Sequence, residues 1–364
     1  MAGNKEKIED LKKELSKTKY NKRTEHHIGL AKAKLAQLIE KENKRSKSGM
    51  SNAGYYIRRS GDATVILIGT PSCGKSTLVN ELTGIHSEVG SYSFTTLKII
   101  PGTLKYKGAE IVILDVPGII SGAASGKGRG KEVLSAVRSA NMCLILLDAT
   151  RPKDYTIVKK ELRLSGVRLN EHLPDVKIKK KAYGGTSIST TLKLTKINHE
   201  TIKAILAGFK IMNADVLIRE DITDDQLIDA IQGNKKYIKA ITVINKTDLI
   251  TDKQKKSLKK MIHPDLMVSA KNKENLETLK QIIFDNLKFI RIYTKEPSKK
   301  ADLVEPLIMV EGSTIKDVCS KLHKDLVKKF KYARIWGKSA KFDAQKVMLH
   351  HIMKDKDIIE IHTI

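Results

Sequence analysis

The stretch Thr64-Val65-Ile66-Leu67-Ile68-Gly69-Thr70-Pro71-Ser72-Cys73-Gly74-Lys75-Ser76-Thr77 decides the fold of this 364-residue chain. Thr64 and the four apolar residues after it predict a buried strand, the next six a glycine-bounded loop, and Lys75-Ser76-Thr77 the start of a helix. The glycines let the backbone curl until successive N–H groups face one phosphate chain. Lys75 adds a mobile positive charge, and the Ser76 hydroxyl is placed for Mg²⁺. Gly69, Thr70, Pro71, Ser72, Cys73, Gly74, Lys75, Ser76 and Thr77 are therefore the expected phosphate cradle of a nucleoside triphosphate site in an α/β fold.

The base is read further on. After the apolar run Ala240-Ile241-Thr242-Val243-Ile244 comes Asn245-Lys246-Thr247-Asp248. A carboxylate there can accept from the N1–H and exocyclic amine of guanine, groups adenine lacks, so Asp248 points to GTP rather than ATP. A second short strand, Leu266-Met267-Val268, delivers Ser269-Ala270-Lys271, whose backbone can donate to the guanine carbonyl. Between these ends, Ile111-Val112-Ile113-Leu114 leads into Asp115-Val116-Pro117-Gly118. Asp115 is a carboxylate for Mg²⁺, held through water, and the Gly118 N–H can meet a γ-phosphate. Phe94-Thr95-Thr96 lies in a polar segment suited to closing a threonine hydroxyl over Mg²⁺. The expected metal ligands are thus Ser76, Asp115 and a threonine of this pair.

The chain carries a formal net charge of +27, so polyanions, nucleic acid first, are the expected partners. Cys73, Cys143 and Cys319 are too few and too scattered for a disulfide framework or a zinc site. No apolar run approaches the roughly 20 residues of a membrane helix, and the amino terminus has no apolar signal region. The expectation is a soluble cytoplasmic protein.

Residues 1–60, with sixteen Lys and Arg against seven Asp and Glu, predict a basic helical segment and linker. Its sparse seam of Leu11, Leu15, Leu30, Leu35, Leu38 and Ile39 requires a partner surface, expected to be RNA, the ribosome or a protein, with a merely solvated basic face as the alternative. Residues 61–289 predict the GTP domain. Asp148 and Asn245 stand 97 positions apart, which leaves room for an inserted α/β module at about 152–222. Residues 290–364 predict a further unit of strands with one helix from Thr314 to Phe330.

The phosphate loop, Phe94-Thr95-Thr96-Leu97, Asp115-Val116-Pro117-Gly118-Ile119-Ile120 and Gly126-Lys127-Gly128-Arg129-Gly130 together resemble the Obg-type translation-factor GTPases, most closely the DRG branch of developmentally regulated GTP-binding proteins. The amino-terminal stretch Asn21 to Leu35 resembles that branch's helical lead-in, and Lys354 to Ile361 the closing strand of a β-grasp TGS domain. The resemblance covers essentially the whole chain. It implies a P-loop GTPase domain with an insertion likened to a ribosomal-protein domain, a C-terminal TGS domain, and Thr96 rather than Thr95 as the Mg²⁺ ligand.

The implied reaction is attack of water on the γ-phosphate of GTP, giving GDP, with Lys75, Thr96 and Gly118 acting at the reacting group. Ile119 stands where Ras-type enzymes carry a water-orienting glutamine, so unaided hydrolysis should be slow and the orienting group stays open. Ser72 replaces the asparagine by which related enzymes hold K⁺, which leaves K⁺ an open cofactor. The expected function is a GTP-driven switch acting with the ribosome or structured RNA in translation. It would be monomeric, with no membrane role and a stabilising partner protein as in eukaryotic relatives. The competing reading is a ribosome- or RNA-binding scaffold in which GTP is mainly structural. An ATP-dependent helicase is disfavoured by Asp248 and by the lack of a second motor domain.

Overall fold

The apolar runs become neighbouring strands because each is buried on both faces, which only a helix-covered sheet allows. The computed structural model describes residues 4–19, 21, 24–45, 61–83, 100–115, 136–297, 299 and 301–363. In chain order the first strands are β1 (Ala63–Gly69), β2 (Ile100–Tyr106), β3 (Ala109–Asp115), β4 (Met142–Asp148) and β5 (Val167–Leu169). Then come β6 (Val176–Lys180), β7 (Thr186–Thr190) and β8 (Ala214–Ile218) in a sheet of their own, and β9 (Lys236–Asn245) and β10 (Leu266–Met267) back in the first.

The main sheet runs β10-β9-β4-β1-β3-β2, with β5 paired to β9. All neighbours along that path are parallel except β2, which is antiparallel to β3. Parallel pairing brings the carboxyl ends of β1, β3, β4, β9 and β10 to one edge. Because β1 lies between β3 and β4, that edge contains the crevice where such sheets bind ligands. One face is covered by Leu78, Val79 and Leu82 of the Lys75–Thr83 helix and by Leu279, Ile283 and Phe284 of the Leu276–Asn286 helix. The other is covered by Val158 and Leu162 of Asp154–Leu164 and by Leu258 and Ile262 of Asp252–Ile262.

The insertion starts later than 152, because the Asp154–Leu164 helix and β5 belong to the main-sheet core. The second compact unit joins Glu171–Tyr237 to the amino-terminal helices Asn4–Lys17 and Glu25–Arg45. Its sheet has β8 in the centre, antiparallel to β6 and parallel to β7. The basic run Lys177–Lys181 lies mostly in strand β6, and Lys181 pairs with Asp215 at 2.6 Å.

The partner that the amino-terminal seam requires is this module. Ala33 is fully buried among Ile202, Ile205 and Leu206 of the His199–Gly208 helix. A Cβ on Gly29 would come within 2.8 Å of the Thr201 methyl, so a side chain there would force the two helices apart. Lys32 bridges Asp224 (2.9 Å) and Asp225 (3.1 Å) in the first turn of the Asp224–Gln232 helix. Glu25 accepts from the backbone N–H and side-chain amide of Asn198, both at 3.2 Å.

The carboxyl-terminal sheet contains β11 (Phe289–Thr294), β12 (Leu307–Val310), β13 (Phe330–Trp336), β14 (Gln345–Val347) and β15 (Asp357–Thr363), in the order β12-β11-β15-β13-β14. Its two sequence-distant strands β11 and β15 pair in parallel. The expected single helix from Thr314 to Phe330 is two, Ile315–Leu322 and Lys324–Lys329. Extended His323 (φ −161°, ψ 137°) ends the first and caps the second, and Phe330 opens β13. This domain is not a loose appendage. Phe289 and Ile308 are buried in the same cluster as Phe284 and Leu287, which pack on the main sheet. Phe284 meets Tyr106 and Phe289 edge-on at 6.1 and 5.7 Å. Lys321 pairs with Asp62 at 2.8 Å, beside the first strand.

Candidate guanine-nucleotide site

The loop from Gly69 to Lys75 leaves β1 at the carboxyl edge and is gripped from the far side of β4. Asn245, the last residue of β9, is 2% exposed; its amide donates to the Cys73 carbonyl (2.9 Å) and its carbonyl oxygen accepts from Ala270 N–H (3.0 Å). Gly74 makes that grip possible. It sits at φ +92°, and a Cβ there would approach the Asn245 amide nitrogen to 2.4 Å. Lys246 donates to the Ser72 carbonyl at 2.6 Å. Thr247 donates its hydroxyl to Val268 O (3.0 Å), which ties the Asn245–Asp248 segment to the segment after β10.

Asp248 and Ser269 meet as a pair. The Ser269 hydroxyl donates to one Asp248 oxygen at 2.6 Å and accepts from Asn272 N–H at 3.2 Å. Its hydrogen bond, helped by the nearby Lys271 and Lys246 charges, holds the Asp248 carboxyl below its ordinary value despite some desolvation. Asp248 is exposed, so an ionised carboxylate stands at the mouth of the candidate site. Ala270 is buried and Lys271 exposed beside it.

Lys75 donates to the Gly69 and Thr70 carbonyls, at 3.1 and 3.0 Å. Ser76 donates to Asp115 Oδ2 at 3.1 Å. Burial pushes the Asp115 carboxyl up, against the opposing pull of Lys75 and the Ser76 hydrogen bond. Among the described residues, Asp115 Oδ1 is buried and has no hydrogen-bond partner. A buried carboxylate with one orphaned oxygen beside a serine hydroxyl has the hard-oxygen donor set that suits Mg²⁺. The remaining cradle residues lie along the loop, Pro71, Ser72 and Thr77 toward solvent and Thr70 buried. Thr95, Thr96 and Gly118, like Ile119 and Arg129, lie outside the described residues.

Cys73 is fully buried against the sheet, and burial pushes its thiol up, so it is packed rather than poised to react. Sequence reasoning missed Asp148, whose carboxylate lies 2.8 Å from the Lys246 ammonium. Its only signal was an aspartate at the end of an apolar strand next to the loop, a place where such edges gather functional groups.

A phosphate loop clamped by an Asn-Lys-x-Asp segment, with a Ser-Ala-Lys segment bonded to its aspartate and a β-grasp domain sharing the same core, defines a P-loop GTPase carrying a TGS domain. Residues 64–173 match the family model described as 50S ribosome-binding GTPase, 183–289 that for the C-terminal region of the same domain, and 290–363 the TGS domain. An uncharacterized GTP-binding protein of Methanocaldococcus jannaschii is 51% identical over 99% of this chain and 93% of its own length. Developmentally-regulated GTP-binding protein 1 of Xenopus laevis is 41% identical over 99% of each chain, and human developmentally-regulated GTP-binding protein 2 is 42% identical over 98% of each. The solved YchF GTPase of Schizosaccharomyces pombe aligns over 84% of this chain and 99% of that one, at 14% identity and a TM-score of 0.49. The chain belongs to the DRG family of GTP-binding proteins within the Obg-type GTPases.

Proposed function

We propose that this GTP-binding protein hydrolyses GTP to GDP slowly and works as a translation switch in the cytoplasm, engaging the ribosome or structured RNA differently in its two nucleotide states. The observation that carries the reading is the double grip of Asn245 and Lys246 on the Cys73 and Ser72 carbonyls. It ties base recognition to the phosphate loop, so guanine at one end and phosphates at the other stabilise a single arrangement. Asp248 accepts from guanine through the oxygen that Ser269 leaves free. Lys75 turns from its loop carbonyls to the phosphates, and loop N–H groups hold charge that develops on the transferring group.

Ser76 and Asp115 would hold Mg²⁺, with Thr96 completing the set in the triphosphate state, and the ion would supply neutralisation of phosphate charge. Thr96 and Gly118 would sense the γ-phosphate. K⁺ and a stabilising partner protein are further candidates, implied by the family resemblance. A polyanionic partner fits the net charge of +27. The matching family description, 50S ribosome-binding GTPase, supports the ribosomal assignment, and the relatives' printed names support GTP binding.

The test is sedimentation of the full chain with ribosomal particles in GDP and in a non-hydrolysable GTP analogue, alongside phosphate release. A switch binds more tightly in one state. Equal binding in both, with no turnover, would instead leave a scaffold for which GTP is structural.

A further inference from the structure

No nucleotide-binding motif requires Asp148, yet its carboxylate is built into the loop. The residue ends β4, level in register with Asn245, and is 5% exposed. One oxygen, Oδ1, accepts from the Thr150 N–H at 2.9 Å and the Thr150 hydroxyl at 2.7 Å. The carboxylate is thereby fixed in rotation, and Oδ2 accepts from the Lys246 ammonium at 2.8 Å. The same ammonium donates to the Ser72 carbonyl at 2.6 Å. We propose that Asp148 is a positioning residue for the guanine nucleotide: it anchors Lys246 so that the Ser72 carbonyl, and with it the phosphate loop, is held ready for the phosphates. This rests on the reading of the site as a guanine-nucleotide site and adds a residue to it.

The loop needs such an anchor. Ser72 sits at φ +65° and Lys246 at φ +63°, left-handed backbone that residues with a Cβ adopt only when neighbours hold them there. A lysine side chain left to itself samples many rotamers, and freezing it costs conformational entropy at the moment of binding. A buried counter-charge makes that ordering part of the folded protein instead. The anchor stays charged. Burial pushes the Asp148 carboxyl up, but the Lys246 and Thr150 hydrogen bonds outweigh it and the net direction is down. Charge-assisted bonds of this kind are the stronger class. Asn245 holds the next carbonyl, that of Cys73, from a fully packed position with Ala270 behind it. Of the two grips, the Lys246 one depends on a long side chain and hence on a fixed partner.

The experiment uses full-length protein loaded with a fluorescent methylanthraniloyl derivative of GDP and chased with excess GDP. Asp148→Asn, which keeps shape and loses charge, should release the nucleotide about tenfold faster. The preference for guanine over xanthine nucleotides should not change, because Asp248 reads the base. Lys246→Ala should also accelerate release, and Asp148→Asn/Lys246→Ala should be no faster than Lys246→Ala alone, since one residue acts through the other. Thr150→Val, which frees the carboxylate to rotate, should give a smaller acceleration and carries the test should Asp148→Asn not fold. Parental release rates in these variants, or effects that add in the double variant, overturn the role of Asp148. Parental protein that binds no guanine nucleotide overturns the site reading itself and this inference with it.

Discussion

Asp248→Asn changes one atom, and its consequence can be worked from the geometry. In the parent, Ser269 donates to one Asp248 oxygen at 2.6 Å, leaving the other oxygen and the remaining lone pairs for guanine N1–H and the exocyclic amine. An asparagine oxygen can serve Ser269 or one guanine donor, while its NH₂ faces the exocyclic amine donor-to-donor. At least one charge-assisted bond disappears and a repulsive donor pair takes its place, a loss of about 3 kcal/mol or roughly a hundredfold in GTP affinity. Xanthosine triphosphate carries a carbonyl where guanine has its amine, so the same NH₂ finds an acceptor and affinity for that nucleotide should rise. Calorimetric titration of both nucleotides into parent and variant reads the two arms. Unchanged GTP affinity in the variant would refute the placement of the base against Asp248, whatever happens to xanthosine triphosphate.

Ser76→Ala should abolish most of the Mg²⁺-dependent tightening of nucleotide binding, at least about tenfold, measured as GDP affinity with and without Mg²⁺. Ile308→Ala should cost about 2–4 kcal/mol and loosen the GTPase core as well as the TGS sheet, because Ile308 belongs to the cluster of Phe284 and Leu287; hydrogen exchange confined to the TGS sheet would contradict this. Glu360 is buried and accepts from Lys295 (2.8 Å) and pairs with His362 (2.6 Å), and chiefly the Lys295 bond holds its carboxyl below its ordinary value of 4.5. A depressed carboxyl contributes stability that is complete above 4.5 and is lost as pH falls through the lower folded-state value. Glu360→Gln should therefore be less stable than the parent near neutrality, with the gap closing in denaturant melts as pH drops below 4.5.

The shared core also bears on where the positive charge acts. Removing residues 290–364 strips Ile308 from the GTPase core, and removing the amino-terminal helices uncovers Ile202, Ile205 and Leu206 of the inserted module. Charge-reversal of exposed lysines, with both cores intact, is the cleaner route to the polyanion surface.

The candidate nucleotide site was legible in the sequence because its chemistry is local. Glycines at 69 and 74 dictate a curled loop, apolar runs dictate buried strands, and parallel strands deliver Asp115, Asn245 and Ser269 to one edge whatever lies elsewhere. Sequence order alone therefore determined the fold class and the strand ends that carry these residues. The tertiary structure decided what depends on surfaces meeting across long separations. An amphipathic helix such as Asp154–Leu164 reads the same whether it covers the GTPase sheet or an inserted one; only the complementary face, here that of Cys143 and Ile145, assigns it. Ala33 finds Ile202, and Ile308 finds Phe284, by shape and burial that no periodicity encodes. Asp148 is the sharpest case: 98 residues separate it from Lys246, and a strand-end carboxylate acquires its meaning only when β4 and β9 pair in register and set a charge beside its partner out of water.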